Sequence, residues 1–241
     1  MARGVIHLEW IGEHIAQLRL DNPEARNAMS HTMMLHLEEH CREIIGRARI
    51  VILCSTGTKS FCAGGDLQDV RTALLSKESA QEMNTRMSNA LGAFRKHNIT
   101  TIVALNGPAV GGGAELTTYG DVVLAHQDVF IAFVHAKLGV SPGWGGAMRL
   151  LEKVGTHRAR QLLLLAQKIP SEKGVMMGLI DDIVPDPNKA AVELANRLIH
   201  YPRASAEQVY SWFEHPTSKR ETEMFLSLWG GRDHRKALGI E

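Results

Sequence analysis

The sequence has little of what would set it apart from an ordinary soluble globular protein. It carries three cysteines in 241 residues. Cys41, Cys54 and Cys62 cannot all pair and show no metal spacing, so they are expected as buried free thiols rather than as a disulfide frame or a zinc site. An excess of charge is also missing. Lys and Arg number 27 against 26 Asp and Glu, a net charge of +1, which gives no electrostatic reason to expect nucleic acid or a membrane as partner. Any basic site for an anionic ligand must then be local.

No apolar run approaches the ~18–20 residues of a membrane span, and Met1-Ala2-Arg3-Gly4 leads straight into a strand without a signal-peptide apolar core. A cytoplasmic protein is expected. There is no short internal repeat, low-complexity tract or long linker. The histidines lack ligand spacing with acidic company. His36 and His40 lie four apart on one helix, have no third ligand, and are expected on its solvated face, so no metal site is expected.

What is present is an ordinary core-forming composition, 44% apolar and 22% charged. The length suits one large domain, or one with a small appendage. Val5–Trp10 and Ile15–Leu20 alternate around Gly12-Glu13 as a hairpin does. Asp21–Ala28 is a loop of turn formers. Ser30 can cap a helix whose Met33, Met34, Leu37, Cys41, Ile44 and Ile45 recur at 3–4 spacing.

Ile50–Cys54 and Thr101–Leu105 are continuous apolar runs, as expected of strands buried on both faces. Between them, Asp66 to about His97 reads as helix, interrupted around Ser76–Ser79. Asp121–Ala125 and a short Phe130–Phe133 follow as strands. Pro170–Lys173 opens a helix running through Met177, and Leu179–Val184 is the last strand, ended by Pro185-Asp186-Pro187. From Asn188 the pattern is helical only. Strands alternating with helices imply an α/β core with parallel strands and right-handed crossovers.

Two glycine turns stand out. Ser60-Phe61-Cys62-Ala63-Gly64-Gly65-Asp66-Leu67 follows the first buried strand, and Gly111-Gly112-Gly113-Ala114-Glu115-Leu116 follows the second. Each reads as a strand, a tight turn and a helix start, which leaves free N–H groups at a helix N-terminus. Two such turns can aim one N–H apiece at a single oxygen, the geometry of an oxyanion hole.

Together these turns resemble the crotonase (enoyl-CoA hydratase/isomerase) superfamily, whose members bind acyl-CoA thioesters and stabilise their enolates. The resemblance covers nearly the whole chain. It implies an α/β fold with a crotonase-like ββα spiral core over residues 1–187 and a C-terminal helical appendage over 188–241 that serves oligomerisation, as a homotrimer or a dimer of trimers. It also implies that the position before Asp66, Gly65, and the glycine three before the glutamate, Gly112, supply the oxyanion N–H groups.

Glu115 matches the first catalytic glutamate of the hydratases, or else serves as a helix N-terminal carboxylate. The family's second acidic position holds His135 instead, in Phe133-Val134-His135-Ala136-Lys137. The acid pair that handles water is therefore broken. The run from Phe133 to Leu150, with the late Leu228-Trp229-Gly230-Gly231, is similar to the ethylmalonyl-CoA decarboxylase branch.

A decarboxylase needs an oxyanion hole, an apolar seat for the departing carboxylate and a proton donor for the α-carbon. Phe133, Val134 and Trp144 can form the seat. Either Glu115 or His135 can carry the proton. The loop Asn22-Pro23-Glu24-Ala25-Arg26-Asn27-Ala28 is similar to the Asn-x-Pro-x-x-x-Asn-Ala loop with which relatives touch coenzyme A, which makes Arg26 either a phosphate contact or a solvated loop arginine. Arg26, Ala63, Phe133 and Trp144 are thus the expected substrate-binding residues.

The implied activity is a lyase acting on a malonyl-type thioester of coenzyme A or of a carrier protein, with no cofactor and no metal. The alternatives are an enoyl-CoA hydratase or dehydratase using Glu115, and a non-catalytic acyl-CoA-binding homologue.

Overall fold

The computed structural model describes residues 4–73, 75–214 and 216–240. Strands β1 (Val5–Gly12) and β2 (Ile15–Asp21) form the expected antiparallel hairpin, with a register shift between Trp10 and Gly12. The loop that follows makes one 3₁₀ turn at Pro23–Ala25, then carries Arg26 and Asn27 at φ 55, left-handed without glycine. Asn27 holds that conformation with its side chain. Its Nδ2 donates to the Thr56 and Ser60 carbonyls at 3.0 and 2.8 Å, and its Oδ1 accepts from the Asn22 N–H at 2.9 Å.

Ser30 caps α1 (His31–Ile44) by accepting from the Met33 N–H, and Met33, Met34, Leu37, Cys41 and Ile44 form its buried face. The helix lies against the exposed edge of β1. There the expectation for His36 and His40 fails, because both are half-buried. The His40 Nε2–H donates to the Ile6 carbonyl at 2.8 Å, and the Ile6 N–H reaches His36 Nδ1 at 3.5 Å. Edge-strand groups need partners, and these two histidines supply them.

The chain continues through β3 (Ile50–Ser55), α2 (Leu67–Ala73) and α3 (Lys77–Lys96), with Ser76 capping the last at the expected interruption. Next come β4 (Thr100–Leu105), β5 (Ala109–Val110) and α4 (Gly112–Thr117), then β6 (Val122–Ala125), β7 (Phe130–Ala132) and α5 (Gly146–Leu165). The series ends with β8 (Ile169–Pro170), α6 (Ser171–Met177), β9 (Asp182–Ile183) and α7 (Pro187–Leu198).

The large sheet has the order β1-β2-β3-β4-β6-β9, and every neighbouring pair after the hairpin is parallel. The small sheet has the order β5-β7-β8. Twice the chain places one strand in the large sheet, the next in the small sheet, and then a helix: β4-β5-α4, and β6-β7-α5. This is a repeated ββα path. Because the strands of the large sheet run parallel, the chain leaves Ser55, Leu105 and Ala125 at the same edge.

Two expectations change. Leu179–Val184 shrinks to two paired residues, because the Leu179 and Ile180 N–H groups both turn back to the Gly174 carbonyl and close α6. The twenty-residue helix α5 has no counterpart in the sequence expectations. Gly155 at φ 75 kinks it and shifts its phase, so that the buried positions run Leu150, Val154, Ala159, Leu162.

By contacts the chain divides into two compact units, Met1–Ala195 and Asn196–Glu241. The division falls inside α7, whose Pro187, Ala191 and Ala195 are buried, so this helix begins with the core rather than with the tail. The second unit holds α8 (Arg203–Glu214), α9 (Ser218–Leu228) and α10 (Arg232–Ala237). None of its described residues is fully buried. Among the described residues, no helix is long and apolar enough to cross a membrane.

All three thiols are buried, and burial pushes each up to about 12. At pH 8 the thiolate that reacts would then be only ~0.01% of each, by the titration logic that makes the thiolate the nucleophile. A disulfide reagent such as DTNB should find no reactive thiol in the native protein and three per chain in denaturant. A prompt native equivalent would contradict this burial.

Candidate active site

The first glycine turn is held on both sides by backbone. The Met29 N–H donates to the Gly64 carbonyl at 2.7 Å, the Asp66 N–H to the Met29 carbonyl at 2.9 Å, and the Ala63 N–H to the Arg26 carbonyl at 3.1 Å. From β5, the Val110 N–H donates to the Cys62 carbonyl at 2.9 Å. The bonds flanking Gly65 leave its N–H facing the other way, and among the described residues it donates to nothing. Asp66 then caps α2, its Oδ1 accepting from the Gln68 N–H at 2.8 Å.

The second turn lies against the first. A side chain on Gly64 would come 3.2 Å from the Gly112 nitrogen, and one on Gly113 would overlap the Cys62 carbonyl oxygen. Only glycine permits that approach. Gly112 is the first residue of α4, so its N–H has no helical acceptor, and it too donates to no described residue. Among the described residues, two N–H groups without a partner, those of Gly65 and Gly112, thus sit on touching turns.

Trp144 spans both turns. A Cβ on Gly112 would come 2.5 Å from Cη2 and 2.7 Å from Cε3 of the indole, and one on Gly65 would come 3.9 Å from Cζ2. The indole is 3% exposed. Its backbone is fixed at both ends. The Trp144 N–H donates to Glu115 Oε2 at 2.9 Å, and the buried Tyr119 hydroxyl donates to the Trp144 carbonyl at 2.6 Å. Burial pushes that phenol up to about 12, so it remains a donor.

Glu115 is 1% exposed and accepts four hydrogen bonds. Besides Trp144, the Gly143 N–H donates to Oε1 at 3.1 Å and the Gly146 N–H to Oε2 at 3.0 Å. His135 Nε2 lies 3.0 Å from Oε1. The carboxylate therefore serves as a remote cap for α5, taking up N–H groups that the start of that helix leaves free and complementing its dipole.

His135 belongs to the 3₁₀ turn Val134–Leu138 and is 7% exposed. Facing a carboxylate, its Nε2 donates, and among the described residues its Nδ1 is buried without a partner. Of the other expected residues, Arg26 and Ala63 are joined by their backbone bond beside Gly64. Phe133 is buried in the main core, and the neighbour that approaches Gly111 is Val134, 3.6 Å from where a Cβ would stand. Among the described residues, no three His, Cys, Asp or Glu side chains gather to hold a metal.

The residues missed from sequence are those that hold the loop. Tyr119 stands four after Glu115 and so had a helical signal. Asn84, which donates to the Gly143 carbonyl at 2.6 Å from α3, had none.

The profile of the Enoyl-CoA hydratase/isomerase family matches residues 11–227. Ethylmalonyl-CoA decarboxylase of Danio rerio is 32% identical, with 98% of this chain and 83% of that protein covered. The Bos taurus protein of the same name is 34% identical, over 98% and 81%. Among solved structures, an enoyl-CoA hydratase from Bacillus anthracis superposes with a TM-score of 0.87 at 22% identity, covering 97% of this chain and 94% of that one. One from Mycobacterium smegmatis gives 0.86 at 20%, covering 98% and 95%. At those identities the structures establish the fold.

Replacing Glu115 with Gln turns one acceptor oxygen into a donor that faces donors. Hydrogen bonds to charged groups contribute about 1.5–3 kcal/mol each and leave a penalty when broken in the interior. Glu115→Gln should lower unfolding free energy by roughly 2–3 kcal/mol in urea melts and alter tryptophan emission. Unchanged stability would mean that this carboxylate does not carry the loop.

Proposed function

Since the chain belongs to the enoyl-CoA hydratase/isomerase family, the crotonase superfamily, we propose that it binds an acyl thioester, stabilises its enolate at Gly65 and Gly112, and decarboxylates a malonyl-type acyl group. One observation carries the reading. Glu115 has both oxygens committed to four donors, and its partner across the site is His135 rather than a second carboxylate. No acid pair is left to hold and activate a water. The names of the relatives at 32% and 34% identity support the same choice.

In this mechanism the thioester oxygen accepts from the Gly65 and Gly112 N–H groups. The bond between the α-carbon and the carboxylate carbon breaks, and carbon dioxide leaves. The electron pair moves into the enolate, where loss of one donor costs typically about 3–4 kcal/mol of barrier. The apolar face of Trp144 keeps water from the departing carboxylate, whose charged form is destabilised there.

His135, held at Nε2 by Glu115, relays to the α-carbon, through Nδ1, a proton taken from solvent. One proton is consumed per turnover. No metal or redox group is called for, because the electron pair ends on an oxygen held by backbone dipoles. Arg26, beside the first turn, is assigned to the phosphates of coenzyme A or of a carrier's phosphopantetheine.

Incubation with ethylmalonyl-CoA, methylmalonyl-CoA and crotonyl-CoA, with and without EDTA, tests this directly. Carbon dioxide should be released from the first two, insensitive to EDTA, with no loss of the enoyl absorbance of the third. His135→Glu should reduce decarboxylation by two orders of magnitude or more. Like charges at ~4 Å and an effective dielectric near 20 repel by about 4 kcal/mol before relaxation, at roughly 1.4 kcal/mol per decade. Efficient hydration of crotonyl-CoA without carbon dioxide release from the others would replace this reading with a one-glutamate hydratase.

The assembly we propose is a trimer or a dimer of trimers. In Asn196–Glu241 the side chains of Phe213, Phe225, Leu226, Trp229, Leu238 and Ile240 are all exposed, and no described residue there is fully buried. Apolar surface of that extent calls for a partner. Sedimentation at micromolar concentration should give three or six chains, and a stable single chain would contradict it.

A further inference from the structure

The indole of Trp144 is held more firmly than packing requires. The backbone N–H of Trp144 is fixed by Glu115, its backbone carbonyl by Tyr119, and the N–H groups of its neighbours Gly143 and Gly146 by the same carboxylate. Tyr119 is itself backed by the Arg149 guanidinium, 5.1 Å above its ring. The result is a rigid plate lying on the Cα of Gly112 and reaching Gly65.

Resting on the reading that these two N–H groups take a thioester oxygen, the position of the α-carbon follows. The oxygen sits about 2.9 Å from each nitrogen. The α-carbon lies one C=O and one C–C bond further, ~1.2 and ~1.5 Å. A plate that covers Gly112 and touches Gly65 must then border whatever the α-carbon carries. Its face is hydrocarbon, so it meets an alkyl group favourably and stops one that is too long.

We infer that Trp144 is the specificity-determining residue for the α-substituent: it admits hydrogen or a short alkyl group and excludes longer chains. The clamp on its backbone gives the limit its sharpness, because a wall free to shift would accommodate each extra carbon. Tyr119 acts through Trp144 and is a positioning residue.

The test compares the parent with Trp144→Phe and Trp144→Leu on malonyl-CoA thioesters bearing hydrogen, methyl, ethyl or butyl at the α-carbon, read as kcat/KM. In parallel, calorimetry gives the affinities of acetyl-, propionyl-, butyryl- and hexanoyl-CoA, which present the same α-substituents without a carboxylate to lose. A methylene that does or does not fit an apolar pocket changes selectivity about tenfold or more. The smaller side chains should therefore raise the ratio of long to short substituents at least tenfold in both readouts.

Tyr119→Phe keeps the indole and releases its carbonyl, so it should flatten the parent's discrimination without reversing it. This variant carries the test if the Trp144 variants do not fold. Ratios unchanged within twofold in the folded variants would overturn the inference, whatever the absolute rates. Binding ratios that shift in a protein that turns over no thioester would sustain it while removing the decarboxylase reading. Turnover with unshifted ratios would do the reverse.

Discussion

One buried carboxylate ties the site together. Glu115 sits in α4, and its two oxygens collect donors from the Gly143–Gly146 loop, the start of α5 and the 3₁₀ turn that carries His135. A carboxylate taken out of water is costly unless every lone pair is used, and here the four donors use them. Because those donors come from segments 20 to 31 residues away, satisfying one charge fixes several elements at once. The side chain most naturally read as a chemical group is thus also the fastening of the wall beside it, and its two roles cannot be varied separately.

The opposite condition holds across the site. Among the described residues the Gly65 and Gly112 N–H groups have no partner, although an unpaired donor out of water costs about 1–3 kcal/mol. The fold tolerates this because the flanking backbone is fully engaged: Met29 and Arg26 pair with one side of the first turn, and β5 with the other. Glycine is what allows the turns to touch, since a side chain on Gly113 would collide with the Cys62 carbonyl. Unsatisfied donors held rigidly by satisfied neighbours are what preorganised stabilisation of an oxyanion requires.

The helical tail follows a different logic. Its helices have apolar residues at helical spacing but bury none of them fully among the described residues. A unit of Asn196–Glu241 is too small to build a substantial core. The sheet-forming part of the chain is self-sufficient by contrast, with β3 buried along its whole length and β4 along nearly all of it.

Sequence by itself determined the elements whose signal is local. The hairpin, the buried strands at Ile50 and Thr101, the cap at Ser30, the interruption around Ser76 and the two glycine turns were legible because alternation, apolar runs and capping chemistry act within a few residues. The resemblance of those turns to a known family then marked Gly65, Gly112, Glu115 and His135. What tertiary structure decided was every relation between distant segments. No local pattern could say that Glu115 would be spent on three backbone N–H groups, that Asn84 would hold the Gly143 carbonyl, or that His36 and His40 would face an edge strand instead of water. The helix kinked at Gly155 hid its own periodicity, and Leu179 and Ile180 gave their N–H groups to a helix end and not to a strand. Hydrogen-bond donors and acceptors have no preference written in sequence for which partner they meet. The packing of sheet and helices chooses, and it chose here to spend one carboxylate on holding Trp144 against Gly112 and near Gly65.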